Sequence, residues 1–389
     1  MYNIKTLNTI SELGTDYLTE RNCNVGRAVE NPDAMLIRSA DIHDYEFNSE
    51  LLCIARAGAG TNNIPIEKCS EQGIAVFNTP GANAEAVKEL IICELIMASR
   101  DVLGSIDWTR TLSEEGDKIP DIVEKGKSAF IGPEIHGKVL GVIGLGAVGA
   151  LVANAAHDLG MTVYGYDPFL SVDAAWRLRS EIIHAKDVGE IFANSDYISI
   201  NVPHTEKTHH MLNEEAFNAM KVGVRIVNES RAEVVDDDAM VQALDTGKVS
   251  KYVTDFPNEK ILRAPNVIAL PHIGACTPES EEKCAVMAAK EIYDYLKNGN
   301  IKNSVNYPDA YLERAGACRI CVIHRNVPNM INSFLDLVSE KNLNVEHMLN
   351  KAVGGYAYTI VDLDATVNGD VIDRIKNNKD VLKVRLLTE

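Results

Sequence analysis

A glycine run constrains this chain more than any other feature. Gly144-Leu145-Gly146-Ala147-Val148-Gly149 follows the apolar segment Val139-Leu140-Gly141-Val142-Ile143 and opens a stretch of helical composition. A strand that turns through such glycines into a helix begins a dinucleotide-binding β-α-β unit. Gly144 makes the tight turn, Gly146 lets the backbone approach a pyrophosphate, and Gly149 lets helix pack on strand. The helix N-terminus adds N–H donors and a positive dipole for phosphates. The next strand candidate, Thr162-Val163-Tyr164-Gly165-Tyr166, ends at Asp167. A carboxylate there accepts hydrogen bonds from ribose hydroxyls and repels a 2′-phosphate, which favours NAD over NADP.

The rest of the chain repeats the alternation. Strand candidates at residues 197–202, 224–228, 252–255 and 267–270 extend the glycine-loop unit into a doubly wound parallel sheet. Before it, the apolar runs 34–37, 51–55 and 74–77 predict a smaller parallel α/β unit, followed by a long helix over 84–100. A helix over 278–297 ends at a Gly/Asn break, residues 307–316 read as a linker, and a β-α-β-β-α-β order follows, the ferredoxin-like plan. A chain of 389 residues has room for these three modules.

Composition removes several function classes. Lys and Arg total 38 against 56 Asp and Glu, a net charge of -18, so the surface repels nucleic-acid backbones. No apolar run is long enough to span a bilayer, and no leader pattern opens the chain, so a cytoplasmic protein is expected. The 8 scattered cysteines read as free thiols. Cys318 and Cys321 form one CxxC, but on a strand this spacing points them to opposite faces, and no second ligand pair suggests a metal.

Several segments together resemble the D-2-hydroxyacid dehydrogenases, and within them the members with a C-terminal ACT domain. They are Arg56-Ala57-Gly58-Ala59-Gly60-Thr61-Asn62-Asn63, Asn78-Thr79-Pro80-Gly81-Ala82-Asn83, the glycine loop, Asn201-Val202-Pro203, Asn228-Glu229-Ser230-Arg231, Thr254-Asp255-Phe256 and Pro271-His272-Ile273-Gly274, in the family's order. The resemblance implies two doubly wound α/β domains plus a ferredoxin-like ACT domain. It divides the chain into a discontinuous substrate domain (1–95 and 276–306), a Rossmann NAD domain (96–275), a linker (307–316) and an ACT domain (317–389). It also implies NAD as cofactor, with contacts from Gly144, Gly146, Ala147, Val148, Gly149, Asp167, Val202, Glu229, Ser230 and Asp255, the last on the nicotinamide carboxamide. Glu229 stands where the family more often has a small or hydroxyl residue.

The chemistry accounts for the implied site. Oxidation of a 2-hydroxy acid needs a base whose pKa lies near working pH, and His272 is that candidate. A permanent planar cation, Arg231, suits the substrate carboxylate and the C2 oxygen. A carboxylate should orient His272. Glu259 is the candidate, although Asp255-Phe256-Pro257-Asn258-Glu259 is one residue shorter than the family spacing. Arg56, Ala57, Gly58 and Asn83 are implied substrate contacts. The implied reaction is oxidation of D-3-phosphoglycerate to 3-phosphohydroxypyruvate, the first step of L-serine synthesis, in a homodimer or homotetramer. L-serine is the implied effector at His324, Asn326 and Asn344. The alternatives are a reductase of another 2-keto acid (glyoxylate or hydroxypyruvate) and a non-catalytic NADH-sensing protein.

Overall fold

The computed structural model describes residues 1–388 and divides into two units: Met1–Asn83 joined with the chain from Thr277 onward, and Ala84–Cys276. The first unit holds β1 (Asn3–Thr6), β2 (Asn24–Gly26), β3 (Ala34–Ile37), β4 (Cys53–Arg56) and β5 (Ala75–Phe77) in a parallel sheet ordered β2-β1-β3-β4-β5. β3 and β5 are buried at every position, which is why they read as unbroken apolar runs. β1 escapes such a reading because it alternates: Ile4 and Thr6 are buried, whereas Asn3 and Lys5 are half-exposed. The long helix Pro278–Asn298 is capped by the Thr277 hydroxyl, opens with Pro278 and ends at Gly299 in the left-handed region (φ 73°).

The second unit holds β6 (Val139–Ile143), β7 (Thr162–Tyr166), β8 (Ile183–His184), β9 (Tyr197–Ile200), β10 (Val224–Asn228), β11 (Val249–Thr254) and β12 (Val267–Ala269). All are parallel, in the order β12-β11-β10-β9-β6-β7-β8. The order reverses between β6 and β9, and ligands bind at such a switch, outside the carboxyl ends of the strands. The helix Ala84–Ser99 belongs to this unit, because Ile91, Leu95 and Ala98 pack with Val152, Ala153 and Ala156 of the helix Ala147–Asp158. By packing, the second unit begins at Ala84, upstream of the expected boundary after residue 95.

The C-terminal module has the expected β-α-β-β-α-β order. β13 (Cys318–Arg325), β14 (Val345–Val353), β15 (Tyr356–Leu363) and β16 (Val381–Thr388) form an antiparallel sheet, β14-β15-β13-β16, with helices Met330–Ser339 and Gly369–Lys376. Cys318, Ile320 and Val322 face a core shared with Phe334, Val371 and Ile375. Cys321 and Ile323 face the opposite way, into a core shared with Tyr295, Leu296 and Tyr307. The two cysteines thus lie on opposite faces, and all eight thiols are free. Asn329 precedes the first helix at φ 67°, a left-handed conformation that asparagine tolerates.

Residues 307–316 are not a linker. Tyr307 is 2% exposed and donates to the Ser70 carbonyl, and Ala310 is fully buried in a bridge with Ile301. The preceding Asn306 side chain also serves the Val76 N–H and the Ile74 carbonyl. The aromatic ring of Tyr307 needed a core, and the mixed polar context hid it. Both faces of the C-terminal sheet are therefore committed to packing within the first unit.

Arg319 and Asp362 form a fully buried bidentate pair at 2.6 and 2.7 Å. The guanidinium also donates to the carbonyls of Asn298, Leu312 and Glu313. Removing only the carboxylate leaves a buried charge unpaired. Asp362→Ala is expected to cost about 3–5 kcal/mol in denaturant unfolding, whereas loss of the exposed Lys127–Glu124 pair should cost under about 1 kcal/mol.

Candidate active site

The glycine loop of the second unit has the shape a dinucleotide requires. Gly144 sits at φ 87°, and a Cβ there would lie 2.4 Å from the Asn201 carbonyl oxygen and 2.8 Å from Val202 Cγ1. A Cβ on Gly149 would lie 1.9 Å from the Gly144 carbonyl oxygen. These two glycines are needed by the fold itself. Gly146 differs: nothing lies within 4 Å of its Cβ position, and it caps the helix that begins at Ala147 and Val148. That open approach to a helix N-terminus fits a pyrophosphate. Gly146→Ala is expected to weaken NADH binding by about tenfold or more with the melting temperature unchanged, measured by fluorescence titration. Gly149→Ala should instead destabilise the fold.

Asp167 immediately follows β7. One oxygen accepts the Leu145 N–H (2.9 Å) and the other the Phe169 N–H (2.9 Å), so the carboxylate is held beside the glycine loop. Val202 stands against Gly144 from the segment after β9. These residues lie at the carboxyl ends of β6, β7 and β9, on either side of the switch point.

The second cluster forms at the ends of β10, β11 and β12. Asn228 is fully buried and staples the turn after β10. Its Oδ1 accepts from the Ser230 N–H and hydroxyl, and its amide donates to the Arg231 carbonyl. This leaves Arg231 exposed and extended, with its guanidinium donating to the Ser230 carbonyl at 2.6 Å. Ser230 spends its hydroxyl on Asn228. His272 follows β12, and its Nδ1 lies 3.0 Å from Asp255 Oδ2. The imidazole side chain is 68% exposed, the carboxylate 2%. Phe256 meets the imidazole edge-on, with centroids 5.2 Å apart.

Three expectations need correction here. Glu259 does not orient His272. Asn258 caps the short helix Glu259–Arg263 by accepting the Ile261 N–H, which puts Glu259 in the first turn, 77% exposed and ion-paired to Arg263. The shortened spacing builds a helix cap where a catalytic carboxylate was expected. Asp255 therefore serves the imidazole, and its other oxygen is buried rather than turned to a carboxamide. Glu229 does not reach outward to a cofactor either, because both of its carboxylate oxygens are buried.

Glu229 has two acidic neighbours. Its carboxyl is within hydrogen-bonding reach of Glu94, from the helix Ala84–Ser99, and of Asp255. Burial and then Glu94 push Glu229 up to about 11, and burial pushes Glu94 up to about 7. One cue to Glu94 is legible in the chain, an acid in an otherwise apolar helical turn (Ile91-Ile92-Cys93-Glu94-Leu95-Ile96).

In the first unit, Arg56 closes β4. Its Nε donates to the Arg38 carbonyl (3.0 Å), and its guanidinium covers Gly58, where a Cβ would lie 2.7 Å from Nη1. Ala57 is buried and bonds to the Ile37 carbonyl, and Gly58 accepts from the Thr79 N–H. Asn83 is half-buried at the end of this segment. In the C-terminal module, His324 is 2% exposed with both ring nitrogens engaged, by the Arg325 carbonyl (2.8 Å) and Thr359 Oγ1 (2.9 Å). Burial lowers its pKa, and both ring nitrogens are spent inside the module, contrary to its expected effector role. Asn326 and Asn344 are exposed. Among the described residues, no group of His, Cys, Asp and Glu could hold a metal, and no helix is long and apolar enough to cross a membrane.

Comparison with known proteins shows the family. Residues 96–274 match the D-isomer specific 2-hydroxyacid dehydrogenase NAD binding domain family. The D-3-phosphoglycerate dehydrogenase of Haemophilus influenzae is 30% identical over 87% of this chain and 82% of its own. D-3-phosphoglycerate dehydrogenase 1 of Saccharomyces cerevisiae is 29% identical over 87% and 74%. Among solved structures, the NAD+-bound 3-phosphoglycerate dehydrogenase of Entamoeba histolytica aligns with a TM-score of 0.61 at 26% identity, covering 80% of this chain and 99% of that one.

Proposed function

Because the chain belongs to the D-isomer-specific 2-hydroxyacid dehydrogenases, NAD-dependent oxidoreductases, we propose that it oxidises D-3-phosphoglycerate to 3-phosphohydroxypyruvate. The observation that carries the reading is the His272–Asp255 pair, set at strand ends in the unit that holds the glycine loop. The names of the relatives supply the substrate. The glycine loop and Asp167 would hold NAD, which when bound accepts the hydride from C2.

His272 removes the hydroxyl proton at Nε2, and Asp255 stabilises the imidazolium that forms. Arg231 binds the substrate carboxylate and polarises the C2 oxygen. Arg56 supplies positive charge for the phosphate, which an acidic protein must provide locally. The test compares kcat/KM for 3-phosphohydroxypyruvate with that for hydroxypyruvate and glyoxylate. A preference of about a hundredfold or more for the phosphorylated acid, reduced in Arg56→Ala, supports the reading. Equal use of all three would move the substrate to the simpler keto acids. For regulation, the exposed amides of Asn326 and Asn344 support binding of L-serine. Turnover indifferent to L-serine would make the module purely structural.

A further inference from the structure

Behind the His272–Asp255 pair stands a feature that the reaction as described does not use. Glu94 is fully buried in the helix Ala84–Ser99, and neither of its oxygens receives a donor among the described residues. The same holds for both oxygens of Glu229 and for Asp255 Oδ1. The carboxyls form a chain, Glu94 to Glu229 to Asp255, each within hydrogen-bonding reach of the next. Gly274 and Val87 lie beside it: a Cβ on Gly274 would lie 3.3 Å from Glu229 Oε2 and 3.4 Å from Val87 Cγ2. The charged groups that act most strongly on Glu229 are Glu94 and Asp255, and on Glu94 they are Glu229 and Asp255. No lysine or arginine is among them. Touching carboxylates without a cation cannot all stay ionised; a shared proton makes the contact a hydrogen bond instead.

We propose that Glu229 and Glu94 are positioning residues: Glu229 stands as a neutral carboxylic acid whose O–H donates to Asp255 Oδ1, and Glu94, protonated as well, donates its own O–H to the other oxygen of Glu229 and holds it in that orientation. Asp255 Oδ2 is thereby left to the Nδ1–H of His272. The donated hydrogen bond withdraws charge from Asp255, so His272 is less basic than it would be beside a bare carboxylate. The base is then ready to accept a proton from substrate at a lower pH. The proposal rests on His272 being the base.

Two measurements test it. The first needs no turnover. A carboxyl protonated in the native state and ionised in the unfolded chain makes stability fall as pH rises above the unfolded value of about 4.5. The folding equilibrium constant should drop by about tenfold per pH unit for each such proton. Denaturant unfolding between about pH 6 and pH 9 should show this slope, and Glu229→Gln should lose one proton's worth of it. The second follows the acid limb of kcat/KM for oxidation, where His272 becomes protonated. Glu229→Gln keeps an N–H donor and should leave that limb in place. Glu229→Met removes the donor and should move the limb upward by about half a pH unit or more.

Had Glu229 been an anion, both substitutions would delete a negative charge near His272 and move the limb down, with no loss of slope. That pattern overturns the proposal. If Glu229→Met does not fold, an unmoved limb with a flattened slope in Glu229→Gln still decides. If no 2-hydroxy acid is turned over, proton NMR titration of His272, assigned with His272→Asn, reads the same shift. A failed substrate assignment and a failed proton assignment are thereby told apart.

Discussion

His272→Asn is expected to slow hydride transfer by about 10²–10⁴-fold while leaving NADH affinity within about twofold. The imidazole is the exposed partner of its pair, so its loss should cost little stability. Asparagine keeps a donor toward Asp255 but cannot take a proton. Single-turnover absorbance at saturating cofactor separates this loss from binding. Undiminished turnover would remove His272 from the mechanism.

Asp255→Asn carries the second large effect. The amide is isosteric with the carboxylate but brings no charge to the developing imidazolium, and it can select the wrong imidazole tautomer. A loss of about 10²–10⁴-fold in kcat is expected. Glu259→Gln should stay within about twofold, because that side chain is 77% exposed and pairs with Arg263 on its own helix. The reverse ranking would return the orienting role to Glu259. The pair of substitutions separates geometry from motif position, since both carboxylates lie within a few residues of each other.

The features legible in the sequence were those fixed by backbone geometry. Gly144 and Gly149 cannot carry a Cβ where they stand, so their spacing announces the loop. The fully buried strands β3, β5 and β9 announce themselves by composition, and the order of strands and helices gave the ferredoxin-like module. Features that depend on tertiary partners were hidden. Glu259 looked like the orienting acid because spacing ignores that Asn258 caps a helix. Tyr307 looked like part of a linker because its core comes from residues far away in sequence. β1 is hidden because four alternating residues carry too little pattern. Glu94 and Glu229 lie far apart in sequence, and only packing of the helix against β10 and β11 brings their carboxyls together.

The most direct test of the central claim is formation of NADH absorbance when the purified protein meets NAD and D-3-phosphoglycerate, with the L-enantiomer and D-lactate as controls. The account predicts turnover with D-3-phosphoglycerate, little with either control, and loss of turnover in His272→Asn. Tight NADH binding with no oxidation of any 2-hydroxy acid would contradict it and leave a dinucleotide-binding protein on a dehydrogenase scaffold.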